Sequence, residues 1–167
     1  MNELLELDKK RYIGKMPRFQ KLYRIIQKTE FYPLKFVFKI LFKMAKDKNH
    51  IELSNKVQIG AGLYIGHPYG ITINEKVVIG KNVNIHKGVT IGQENRGKRK
   101  GTPIIGDNVW IGINSTIVGA ISIGNDVLIA PNSYVNCNVP DHSIVIGSPC
   151  TIKSCDKATE GYINNTI

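Results

Sequence analysis

A branched aliphatic residue returns at every sixth position over most of the stretch from Leu53 to Val139. One frame holds Leu53, Ile59 and Ile65. It restarts at Ile73, Ile79, Ile85 and Ile91, and again at Ile105, Ile111, Ile117, Ile123, Ile129 and Val135. Seven of these thirteen anchors are followed by Gly, as in IGAGLY, IGKNVN and IGINST. Four positions after an anchor the side chain is mostly β-branched or small, as at Val57, Val77, Val83, Val109, Ser115, Val127 and Ser133. A helix turning every 3.6 residues does not produce a strict six, and a strand's simple alternation does not place Gly so regularly. One inward aliphatic side chain and one turn per six residues suit a parallel β-helix, whose coils bury apolar side chains against one another.

Two interruptions break the frame. The first shifts it by two residues at Gly70-Ile71-Thr72; the second inserts eight in QENRGKRKGTP, between Ile91 and Ile105. An insertion into stacked coils projects as a loop, here over 93–103. Its Arg96, Lys98, Arg99 and Lys100 suit either phosphate binding or the solubility of an exposed loop. The chain therefore divides into a basic helical segment (1–50), a β-helix (51–147) and a tail (148–167), with the last dozen residues expected to be loose.

The N-terminal segment carries thirteen Lys or Arg against five Asp or Glu, or +8 of the total charge of +10. Residues 1–30 predict one or two helices, with Pro17 at a boundary. In residues 31–46, FYPLKFVFKILFKMAK, Lys35, Lys39 and Lys43 recur at helical spacing among aromatic and aliphatic neighbours. That helix is too short to span a bilayer. Its apolar side is expected to pack on the base of the β-helix or on a neighbouring subunit, with peripheral contact to an anionic membrane as the alternative. No nucleic-acid-binding motif accompanies the charge. Neither a signal peptide nor a paired cysteine framework is visible, which leads to a cytoplasmic expectation.

The repeat resembles that of the hexapeptide acyltransferases, which implies a mainly β, left-handed parallel β-helix with three hexapeptides per coil. Within that family GHPYG at 66–70, followed by ITINEKVVIGKNVNIHKGVTIG, is similar to the DHATG-like and VTLGG-like segments of the serine acetyltransferase branch. The resemblance makes His67 the general base and Glu52, fifteen residues earlier, the carboxylate that orients it. It implies direct acyl transfer from acetyl-CoA, without a covalent acyl-enzyme and without a metal. It places the donor in a groove between subunits of a homotrimer, against Gly112, Ile113, Ala130 and Pro131, with Trp110 shielding the cleft and Lys153 near a phosphate. His86, Tyr69 and Thr102 would line the acceptor site.

The acceptor depends on what the chain lacks. The serine branch carries an acidic residue just before its catalytic His, where this chain has Gly66. It also has an Arg-His pair in its loop, where this chain has Gly101 and Thr102. A zwitterion needs charged partners at both ends. The expectation is therefore O-acetylation of a sugar hydroxyl in capsule or exopolysaccharide synthesis, with serine O-acetyltransfer in cysteine synthesis as the alternative. A zinc enzyme of the γ-carbonic anhydrase type would need three converging His, and the repeat holds only His67 and His86. A non-catalytic scaffold would have no use for the Glu52–His67 spacing.

Overall fold

A computed structural model describes residues 2–167. Three parallel sheets form the sides of a triangular coil, and consecutive strands go to different sheets until the C-terminal pair. The first sheet stacks β1 (Glu52–Leu53), β4 (Thr72–Ile73), β7 (Thr90–Gly92), β10 (Thr116–Val118) and β13 (Tyr134–Val135). The second stacks β2 (Gln58–Ile59), β5 (Val78–Ile79), β8 (Ile104–Ile105) and β11 (Ser122–Ile123). The third stacks β3 (Tyr64–Gly66), β6 (Asn84–His86), β9 (Val109–Ile111), β12 (Val127–Ile129) and β14 (Ser143–Ile146).

The period of six becomes three columns. Leu53, Ile73, Ile91, Ile117 and Val135 lie in register in the first sheet. Ile59, Ile79, Ile105 and Ile123 do so in the second, and Ile65, Ile85, Ile111 and Ile129 in the third. No anchor is more than 6% exposed. Each column places aliphatic on aliphatic, so burial is shared between coils and no coil buries its face alone. At the corner after the second sheet, Gly60, Gly80 and Gly106 stack backbone on backbone. A Cβ added to Gly60 would lie 2.6 Å from the Gly80 carbonyl oxygen, which is too close for any side chain.

Three helices cover the base: α1 (Glu3–Lys10), α2 (Arg18–Lys28) and α3 (Tyr32–Asp47). They share one apolar core with the first coil through Phe19, Leu22, Tyr23, Ile26 and Phe42. Their polar fastening is Asp8, whose carboxylate is fully buried against Arg24 Nε at 2.8 Å. It also accepts from Gln20 and from the backbone N–H groups of Gly62 (2.9 Å) and Leu63 (3.1 Å). The Arg24 guanidinium donates on to the Ile59 and Gly60 carbonyls. One side of α3 packs on the core through Phe38, Leu41, Phe42 and Ala45, while Phe36, Val37, Ile40 and Met44 stay exposed. No helix among the described residues is long and apolar enough to cross a membrane.

The C-terminal segment departs from expectation. It is not loose. β15 (Thr151–Ser154) pairs antiparallel with β14. Beyond it, Ala158 N and the N and Oγ of Thr159 donate to Asp126, and Ile167 N donates to Asn82 Oδ1. These corner carboxylate and amide groups lie outside the inward columns, so the anchor period is silent about them.

Removing one partner of a buried ion pair leaves an uncompensated charge. Asp8→Ala is expected to cost about 3–5 kcal/mol, measured by urea unfolding, with the helices detaching from the first coil.

Candidate active site

The outer face of the third sheet, the link between α1 and α2, and the C-terminal segment enclose a cavity of about 660 Å³. Its floor is set by register: Tyr64, Asn84 and Trp110 lie side by side on β3, β6 and β9, with Gly66 beside His86. The His86 ring stands 4.7 Å from that of Trp110, and Trp110 meets Tyr162 at 5.1 Å. A side chain at Gly66 would strike the His86 ring, since an added Cβ would lie 2.7 Å from it. The small residue at 66 and the histidine at 86 therefore fit as a pair.

His67 lies at the rim, exposed, with φ of +55°. The two-residue frame shift lengthens the corner between β3 and β4, and this lifts His67 off the coil. Nine other residues that are not Gly share this left-handed φ, mostly Asn, Asp or His, so the backbone of His67 is that of an ordinary corner here. His86 lies behind it, half-buried. Burial first, and then the neighbouring His67, hold its pKa below the ordinary 6.5. Its Nε2 is buried without a hydrogen-bond partner among the described residues.

The structure separates other expected partners. Glu52 faces outward on β1, in a hollow lined by Lys39, Lys43 and Lys46 of α3. No hydrogen bond joins it to His67 within the described chain. Glu52 lies on β1 in the first sheet, and His67 in the corner that follows β3. Tyr69 meets His50 edge to face at 5.2 Å, outside the cavity. Thr102 donates to the Lys76 carbonyl, on the far side of the coil from β3. Of the expected acceptor residues, only His86 lines the cavity with His67. Two groups there were missed by sequence reasoning: Arg11, which donates to Asn84 Oδ1, and Tyr162, whose carbonyl accepts from Asn84 Nδ2. Neither belongs to the repeat.

The expected donor residues form a stack on the next corner. Gly112 packs against Pro131 N, where an added Cβ would approach to 2.6 Å. The Gly112 and Ala130 N–H groups are spent on the coil ladder, donating to Ile129 and Val145. Pro131 has no N–H to offer. Trp110 turns into the His67 cavity, and Lys153 is exposed on β15.

A pattern described as bacterial transferase hexapeptide (six repeats) matches residues 102–137. Over 128 residues the chain is 35% identical to the serine acetyltransferase of Helicobacter pylori strain 26695, covering 77% of this chain and 73% of that enzyme. The chain belongs to the serine acetyltransferase family. It is 40% identical over 111 residues to the serine acetyltransferase of Staphylococcus aureus strain N315, covering 66% of this chain and 52% of that one. The solved serine acetyltransferase of Neisseria gonorrhoeae in complex with serine superposes with a TM-score of 0.74 at 27% identity, over 91% of this chain and 68% of that one. The soybean apoenzyme gives 0.69 at 28% identity, over 81% and 56%. The chain thus spans most of the H. pylori enzyme and about half of the staphylococcal and soybean ones.

Membership makes the chain an acyltransferase with acetyl-CoA as its co-substrate, and the coil left-handed. It overturns the expected sugar acceptor and, with it, the assignment to polysaccharide synthesis, because these relatives are serine acetyltransferases. The inference failed for a physical reason. It looked for charged residues in the loop alone, whereas the cavity that holds His67 is also lined by Arg11, Lys15 and Arg18, before the repeat begins.

With its pKa depressed, folded His86 refuses a proton that the unfolded chain accepts near pH 6.5. Its stabilising contribution is present above that pH and is lost as pH falls through the folded value. His142, whose bond to Asp126 raises its pKa, acts in the opposite sense and loses its contribution as pH rises. Thermal unfolding of His86→Gln and wild type from about pH 7 to pH 5 is expected to show a smaller acid-side fall in the variant.

Proposed function

We propose that this chain is an L-serine O-acetyltransferase, with His67 as general base. The observation that carries the reading is the 35% identity to the H. pylori serine acetyltransferase over nearly three quarters of that enzyme. The cavity shared by His67 and His86 supplies the chemistry. An imidazole can accept a proton from a hydroxyl near neutral pH. The serine oxygen gives its proton to His67 and attacks the thioester carbon of acetyl-CoA. The tetrahedral intermediate expels the CoA thiolate, which recovers the proton from the imidazolium. O-acetylserine and CoA leave, and no acyl-enzyme forms. His67 has no carboxylate partner among the described residues, so the reading rests on the imidazole and not on Glu52. The proposed assembly is a trimer, in which a neighbouring subunit would complete the groove beside Gly112, Ile113, Ala130 and Pro131.

Thiol release from acetyl-CoA by the purified protein is expected to depend on L-serine and saturate with it. Absence of serine-dependent release from a protein that binds acetyl-CoA would overturn the acceptor. His67→Asn is expected to lower kcat by about 10²–10⁴-fold while acetyl-CoA binding, measured by calorimetry, is unchanged.

A further inference from the structure

Arg11 is the most unusual group in the molecule outside the proposed catalytic histidine. It is 3% exposed, yet it makes no salt bridge among the described residues. Its Nη2 donates to Asn84 Oδ1, while Nε and Nη1 are buried with no partner. The one nearby carboxylate, Asp8, is already bound by Arg24, Gln20 and two backbone N–H groups. Burial lowers the Arg11 pKa, partly offset by Tyr12, Asp8 and Tyr64. A guanidinium nonetheless stays protonated in proteins.

A buried cation with idle donors is costly unless an anion meets it. Arg11 is among the residues that line the cavity holding His67 and His86. The cavity wall adds Lys15 and Arg18 and contains no Asp or Glu, so a carboxylate meets charge here while an ammonium meets only neutral side chains such as Asn49, Asn164 and Asn165. Asn84 takes one of the two Nη2 N–H groups, and the other, with the idle nitrogen that flanks it, leaves one planar two-donor edge that matches the two oxygens of a carboxylate. A guanidinium buried this deeply, with Trp110, His86 and Tyr162 around the same cavity, suits a small anion better than the bulky phosphates of a nucleotide.

We propose that Arg11 binds the carboxylate of the acceptor amino acid, replacing the charged partner that Gly101 and Thr102 do not supply. This rests on the serine reading of the acceptor and extends it. The N-terminal segment then sets acceptor specificity, and the β-helix carries the base.

The chain's single tryptophan, Trp110, lines this cavity and reports on it. The full chain is titrated with L-serine, glycine and L-serinamide without acetyl-CoA while tryptophan emission is followed, and thiol release is assayed in parallel. Serine and glycine are expected to change the emission and serinamide not to. Arg11→Gln is expected to weaken serine binding and raise its KM by about 10- to 150-fold, the range of one or two charge-assisted hydrogen bonds, with Arg11→Lys retaining more. The KM for acetyl-CoA should be unmoved. Serine bound as tightly by Arg11→Gln as by wild type would overturn the proposal and leave the acceptor reading intact. Serinamide bound as well as serine by wild type would overturn it without any variant. Arg11-dependent binding of serine and glycine, with no thiol release, would keep the carboxylate site and sink the acceptor reading. A response to inorganic phosphate but to no carboxylate would also overturn it.

Discussion

Aliphatic side chains stacked coil upon coil in three columns set the geometry that every other part of this molecule uses. Because Ile65, Ile85, Ile111 and Ile129 hold their register inward, the residues on either side of them are held in register outward. Tyr64, Asn84 and Trp110 become neighbours for that reason alone, although they are scattered through the sequence. The core therefore works as a ruler. It buries apolar area, and it also fixes the spacing of the polar groups on the outer face.

The second fixed point is Asp8. A fully buried carboxylate is tolerated because an arginine, a glutamine and two backbone N–H groups converge on it. This ties α1 and α2 to the first coil and carries the residues after α1 across the third sheet. Two arginines lie near this one carboxylate, and Arg24 takes it. Arg11 is left charged, buried and short of partners beside the proposed base. The fold thus places an unmet electrostatic demand where an anionic substrate group would answer it.

The histidines divide the work by environment. His67 stands on an extended corner at the rim, open to an incoming hydroxyl. His86 is held neutral by burial and by its neighbour, and it fills the space that glycine at 66 leaves.

The sequence by itself determined the β-helix and where its coils are interrupted, and a family resemblance added three hexapeptides per coil and His67 as the candidate base. These are local or periodic features: a repeat read every six residues, a frame shift, and a motif within five residues. The tertiary structure decided what no period encodes. It placed Glu52 on β1 against α3 and His67 in the corner that follows β3, with no hydrogen bond between them among the described residues. It left Thr102 on a distant corner, and it folded the C-terminal segment onto Asp126 and Asn82. It also brought Arg11 to Asn84 across seventy-three positions of sequence. The physical reason is common to all four. Hydrophobic register repeats and can be counted along a chain, whereas a polar contact between segments depends on which donors the core leaves unpaired, and this is known only once the coils are stacked.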